Sequence, residues 1–185
     1  GLAEDLKEHG RSKDEVLEDV MLRLREPVDS LTLLIEPSDN IGGGAPGDCT
    51  GCLRALIKHQ IKNAAICIND PEAVTQLAGV GIGAKVSLGV GGKGSQLDEG
   101  PLNLEAELLS RSNGHFELED KQSHMASMVG DFADMGNCAL VRHSEILILL
   151  TSNKTAPFDL GQWRSQGVDP AQLDVIVIKA AVAHK

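Results

Sequence analysis

The stretch Leu31–Gln60, LTLLIEPSDNIGGGAPGDCTGCLRALIKHQ, changes character twice. It opens with Leu31-Thr-Leu-Leu-Ile35, a short apolar run bounded by turn residues, as a buried strand is. Pro37 to Asp48 then holds four Gly and two Pro in twelve positions, which excludes the interior of a helix or strand and makes it a loop. From Cys49 to Gln60, Leu53, Leu56 and Ile57 recur at helical spacing, with Asp48 placed to cap the helix. Strand, glycine-rich loop and helix form the repeating unit of α/β layering, and a loop after a buried strand is where α/β proteins bind ligands.

The flanking sequence extends this reading. Upstream, Val16, Leu17, Val20, Met21 and Leu24 fall on one face of a helix over Asp14–Arg25, with Ser12 as candidate cap, Glu15 three residues on and Pro27 as terminator. Downstream, Ala64–Ile68 reads as a second buried strand. Asp70-Pro71 turns into a short helix over Glu72–Ala78, and Val86–Leu88 is a strand between glycine-rich turns. The second half is richer in strands: Leu102–Arg111, His115–Glu119, Cys138–Arg142 and Ile146–Thr151, separated by turn signals such as Asn113-Gly114. A short helix over Phe158–Gln166 and a last buried strand, Val175–Ile178, complete the pattern. The expected fold is a single α/β domain with a mixed sheet flanked by helices, partly antiparallel in the second half, over residues 13–185, preceded by a polar segment over residues 1–12.

Composition narrows the function. The 185 residues are 42% hydrophobic and 24% charged, enough for one well-buried core. Only 2% are aromatic, and the net charge is −10 with Lys and Arg scattered, so a nucleic-acid partner is not expected. No apolar run approaches the roughly 18 residues that span a bilayer, and Gly1–Gly10 is acidic and polar rather than a signal peptide. A soluble cytoplasmic protein without a membrane partner is expected, with its four cysteines reduced.

Within the loop, the three glycines Gly42–Gly44 leave backbone N–H groups bare, and Asp39, Asn40 and Asp48 supply polar groups. A phosphate cradle does not fit, because no Lys follows the glycines and two carboxylates would repel an anion. A tight turn whose Asp and Asn cap backbone groups is the plainer alternative. The segment resembles a known signature. Asp39-Asn40, Gly42-Gly43-Gly44-Ala45-Pro46-Gly47-Asp48 and Thr50 are similar to the DNPGGGAPGDGT motif in the carboxy-terminal domain of the microcystinase C (MlrC) family of zinc metallopeptidases. Ile41 stands in place of Pro and Cys49 in place of Gly. Leu53-Arg-Ala-Leu56, Asp70-Pro-Glu-Ala-Val74, Gly91-Gly-Lys93, Asp134-Met-Gly136 and Val177-Ile-Lys179-Ala-Ala-Val-Ala-His184 follow in matching order, so the resemblance covers Lys13–Lys185.

The resemblance implies a two-domain metal-dependent hydrolase, a peptidase or amidase linked to microcystin degradation. Its amino-terminal domain would hold zinc, and its carboxy-terminal domain would complete the cleft around a peptide-like or small amide substrate. The partner of this chain would be that metal-binding domain of the same protein, and a homo-oligomer is compatible. The six His, at 9, 59, 115, 124, 143 and 184, are dispersed with no HExxH spacing, so no metal ligand is assigned to this chain and no tightly bound zinc is expected in it. The candidate substrate-binding or cleft-supporting residues are Asp39, Asn40, Gly42, Gly43, Gly44, Asp48, Thr50 and Lys179. The last of these ends a predicted strand, where it can pair with Asp39 or with a substrate carboxylate. Backbone N–H groups of the loop are candidates to stabilise an oxyanion.

Two other readings stand beside this one. A non-catalytic ligand-binding or assembly module would use the same loop. An oxidoreductase would use Cys49-Thr-Gly-Cys52, a CxxC at a predicted helix start where the helix dipole lowers a thiol pKa. Cys67 and Cys138 read as core residues, Lys93 as a candidate anion contact, and Asp131 with Asp134 as a turn or cation pair.

Overall fold

The computed structural model describes residues 13–26, 30–96 and 98–181. Ser12, Pro27 and the 1–12 segment, with the roles expected of them above, lie outside the described residues.

A seven-stranded mixed sheet organises the chain, in the order β1-β9-β2-β8-β7-β4-β3. Its parallel half is β1 (Thr32–Ile35), β9 (Val175–Ile178), β2 (Ala64–Asn69) and β8 (Ile146–Thr151). Its antiparallel half continues through β7 (Cys138–His143), β4 (Leu102–Ser112) and β3 (Lys85–Val90). The strands β2, β8 and β9 are near-continuous apolar runs because both of their faces are covered. Ile66, Ile68, Ile148, Leu150, Val175 and Val177 point to one face, where Met21 of α1 (Lys13–Arg23), Leu53 and Leu56 of α2 (Gly51–Lys58) and Leu77 of α3 (Pro71–Leu77) meet them. Ala65, Leu149, Ile176 and Ile178 point to the other face. There they meet Phe116 of β5 (His115–Glu117), Met125 of α4 (His124–Val129) and Trp163 of α5 (Gly161–Arg164), with the short strand β6 (Phe132–Asp134) pairing β5. Each fully buried Leu or Ile contributes about 1.5–3 kcal/mol. The core therefore lies in two aliphatic layers with the sheet between them.

The expected strands all form, with ends shifted by at most two residues, and the helix expected over Phe158–Gln166 shortens to Gly161–Arg164. Two elements are new. In α4 only Met125 is buried, so the segment lacks an apolar stripe, and β6 is three residues long. The loop after β1 is also more ordered than its composition suggests, with single 3-10 turns at Pro37–Asp39 and Ile41–Gly43. Asp70 caps α3 as expected, accepting from the Ala73 N–H at 3.0 Å. Asp48 does not cap α2. That helix begins later, with Thr50 at its N-cap, and the Asp48 side chain is drawn elsewhere.

Candidate functional site

Parallel pairing brings the carboxyl ends of β1, β9 and β2 to one edge of the sheet. Ile35 pairs with Ile178, so the next residues, Glu36 and Lys179, emerge side by side. The Lys179 side chain is 2% exposed, and its ammonium donates to Glu36 Oε2 at 2.8 Å, Asp39 Oδ2 at 2.9 Å and the Cys49 carbonyl at 2.8 Å. All three donors of the ammonium are thus used. Asp39, itself fully buried, also accepts from the Gly47 and Cys49 N–H groups, each at 2.8 Å. The glycine-rich loop is therefore wound around a lysine.

Burial alone disfavours both charges, and the pairing overrides it. Burial pushes the Asp39 carboxyl up, but the Lys179 charge and the two N–H bonds leave it below the usual carboxylate range. Burial lowers Lys179 in turn, and Glu36 with Asp39 reverses this and holds the ammonium above its ordinary value.

A second loop locks onto the first. Asp48 Oδ2 accepts from the N–H groups of Lys93 at 2.7 Å and Gly94 at 2.6 Å, and its carbonyl takes the Gly92 N–H at 2.7 Å. Asp70 receives the Gly91 N–H at 2.8 Å and the Lys93 ammonium at 3.0 Å, while Glu72 lies 3.3 Å from the same ammonium. Asp98 accepts from both the N–H and the hydroxyl of Thr50, and Arg54 joins Thr50 to the Gly100 carbonyl. Lys93 is therefore not an anion contact, because two carboxylates already hold its charge.

The expected residues divide by role. Asp39, Asp48, Thr50 and Lys179 are buried pins, whereas Gly42, Gly43 and Gly44 form an exposed crest beside the half-buried Asn40. The crest does not present a row of bare N–H groups. Gly43 and Ala45 donate to the Asn40 carbonyl, and Gly44 donates to that of Ile41, so these three N–H groups of the expected oxyanion cradle are spent within the turn itself. Glu36 was not anticipated. Its only sequence signal is that it directly follows an apolar run, Leu33–Ile35, as Lys179 follows Val175–Ile178.

The chemistry of the donors can be tested against zinc. Among the described residues, one group of potential ligands, Asp39, Asp48 and Cys49, has atoms within 4.8 Å of one another. It does not fit zinc. Both Asp39 oxygens are engaged, an ammonium sits 2.9 Å from one of them, and the Cys49 thiol is pushed up to about 12 by burial and then by the Asp39 charge. His59 pairs with Glu18, His115 lies near Asp134 and His143 reaches the Glu105 carbonyl, each in a different place.

The same thiol disfavours dithiol chemistry. Cys52 is on the buried face of α2, and Cys49, its thiol pushed up to about 12, carries far less thiolate at neutral pH than an ordinary cysteine. Iodoacetamide labelling of Cys49 in the folded chain is expected to be slower than in urea by orders of magnitude. Fast labelling, or a dithiol exchange abolished by Cys49→Ser, would restore the redox reading. Cys67 and Cys138 are likewise pushed up by burial, to about 12 and about 11, as core thiols are. No cysteine forms a disulfide. Asp134 caps a turn through the Gly136 N–H.

Fold and site together define an α/β domain with a rigid, doubly pinned loop pair at the carboxyl ends of its parallel strands, the edge where open α/β sheets bind ligands. Residues 34–185 match the family model of the MlrC C-terminus, and the chain belongs to that family. Microcystinase C of Sphingomonas sp is 25% identical over 150 residues, covering 80% of this chain and 28% of that protein. A crystal structure from Mesorhizobium sp. BNC1, of a protein provisionally named a metallopeptidase, shares the fold with a TM-score of 0.77 at 23% identity. It covers 89% of this chain and 32% of the other. The chain thus spans less than a third of the length of either. No helix among the described residues is long and apolar enough to cross a membrane.

Proposed function

We propose that this chain is the part of a metal-dependent peptidase or amidase that completes the active-site cleft, its glycine-rich crest facing a domain of the same protein that carries zinc. The observation that carries the reading is the investment of buried charge behind an exposed, side-chain-free turn. Glu36, Asp39 and Lys179 fix Gly42–Gly44 from below, and glycine at the crest lets another backbone or a substrate approach closely. The names of the two relatives support a hydrolase of peptides, and the small share of their length that is matched leaves room for a metal domain. The cytoplasm suits a chain whose cysteines form no disulfide. Asp39, Asp48, Thr50 and Lys179 act in this reading as positioning residues, and Asn40 with Gly42–Gly44 as the cleft wall. A purely assembling module draws on the same loop, but nothing in the geometry favours it.

Zinc content and calorimetric titration of the purified 185-residue chain provide the test, with Asp39→Ala as control. The expected result is no stoichiometric zinc and no peptide hydrolysis by the chain alone. One tightly bound zinc, lost in Asp39→Ala, would overturn this division of labour.

A further inference from the structure

The chain carries 27 acidic residues against 17 Lys and Arg, and its clefts reflect this. The cleft between the pinned loops is walled by Asp48, Asp70 and Glu72, and the one between α1 and α2 by Asp14, Glu18 and Glu99. A third cleft, of about 420 Å³, is lined by no carboxylate. It runs along α3, between the Pro71, Val74 and Ala78 face of that helix and the end of β4, the start of β7 and the end of β8.

Arg111 is the one charged residue of its wall. Its Nη1 donates to the Leu77 carbonyl at 2.8 Å and to the Val80 carbonyl, which anchors the guanidinium at the carboxyl end of α3. Neither Nε nor Nη2 donates to any of the described residues, and no carboxylate among them pairs with Arg111. Capping the helix uses one nitrogen and leaves the Nε–Nη2 edge, the fork that a carboxylate matches with two parallel bonds. Arg111 is exposed, so solvent and solutes reach it. Two further donors share the wall. The Asn137 amide and the Ser152 hydroxyl make no hydrogen bond among the described residues, where only the main chains of the two are joined. Asp134, whose charge reaches Cys138 in the same wall, is turned to the Gly136 N–H and toward His115.

A single positive charge beside an apolar helix face suits a singly charged group with a short hydrocarbon tail. A phosphate would bring a second charge that nothing in the wall balances. We infer that this cleft binds a small aliphatic monocarboxylate, its carboxylate on the free edge of Arg111 with Asn137 and Ser152 as further donors, and its hydrocarbon against Val74 and Ala78. The inference goes beyond the cleft-completing reading and does not rest on it, so either can fail without the other.

The test is a titration of the isotope-labelled 185-residue chain with isobutyrate, followed by amide chemical shifts at neutral pH and constant ionic strength. Isobutyramide serves as the uncharged isostere and phosphate as the more highly charged anion. Isobutyrate is expected to move the amides of Val74, Ala78, Ser112, Asn137 and Ser152 saturably at millimolar concentration, and isobutyramide to leave them in place. Phosphate should need about tenfold more for the same shifts. Arg111→Lys is the informative variant, because it keeps the charge and a donor for the helix end but removes the planar edge. Affinity for isobutyrate should fall about tenfold, with the free spectrum little changed away from the end of α3. Asn137→Ala, at an exposed position outside the strands, should weaken binding about fivefold. Equal effects of isobutyrate and isobutyramide would overturn the inference. So would shifts at the exposed Lys85 and Lys154 in place of these amides, phosphate binding at the lower concentration, or unchanged affinity in both variants. If Arg111→Lys does not fold, the comparison of the acid with its amide on the unaltered chain still decides.

Discussion

Lys179→Met should cost this chain about 3–5 kcal/mol, a large part of the roughly 5–15 kcal/mol that holds a domain of this size together. Met matches the aliphatic stem, so the loss is electrostatic. Glu36 and Asp39 remain buried with no facing cation, and the Cys49 carbonyl loses its donor. The dependence on pH distinguishes this from simple loss of packing. In the unaltered chain the folded Asp39 carboxyl lies below its ordinary 3.8, so its contribution is present above that value and lost as pH falls through the folded pKa. The folded Lys179 lies above its ordinary 10.5, so its contribution is complete below that value and lost only in stronger alkali. In the Met variant, burial of Asp39 is no longer opposed by an ammonium and pushes the carboxyl up, and a group raised on folding gains stability as pH falls. Urea midpoints should therefore differ most near neutrality and converge toward about pH 4.5. Matching midpoints at neutral pH would show that the ion cluster contributes nothing net.

Gly91→Ala should be comparably damaging for a steric reason. Gly91 has φ +61°, and a Cβ there would lie 2.4 Å from the Asp48 carbonyl oxygen and 3.0 Å from a Thr50 methyl. The left-handed backbone costs an alanine about 1–2 kcal/mol, and the collision is with main chain that already accepts the Gly92 N–H. The junction must open, and the total loss is expected on the order of 3 kcal/mol, read as a lower urea midpoint with the denaturant slope unchanged. Amides of Thr50, Lys93 and Gly94 should shift most. A loss under about 0.5 kcal/mol would mean that the two loops are not rigidly joined.

Much of this was legible in the linear chain, for physical reasons that also set its limits. The loop after β1 is visible because glycine and proline at that density permit nothing else, and the strands β2, β8 and β9 because short unbroken apolar runs suit a sheet covered on both faces. The likeness to the MlrC signature was carried by the same loop. Lys179 could be suspected as a partner of Asp39, since a charge directly after a buried strand needs company. Glu36 could not, because its role depends on β1 lying beside β9 rather than beside β2. Asp48 was misread as a helix cap because Lys93 and Gly94, the groups it binds, are more than forty residues away, and only the fold brings them close. The short helix α4 escaped notice because one buried methionine is no stripe.

The strand β9 sits inside the sheet, between β1 and β2, yet it is the last of the sheet's strands in chain order. Until Ile178 emerges, β1 has no neighbour to pair with, β2 has an open edge, and Glu36 and Asp39 have no lysine. From the synthesis of β1 until that of β9, the chain therefore carries an unfinished apolar sheet edge, the condition under which chaperones are recruited and strand-swapped aggregates arise. A ribosome that stalls or a protease that trims a few residues before Lys179 would release a chain lacking an interior strand, not one with a frayed end.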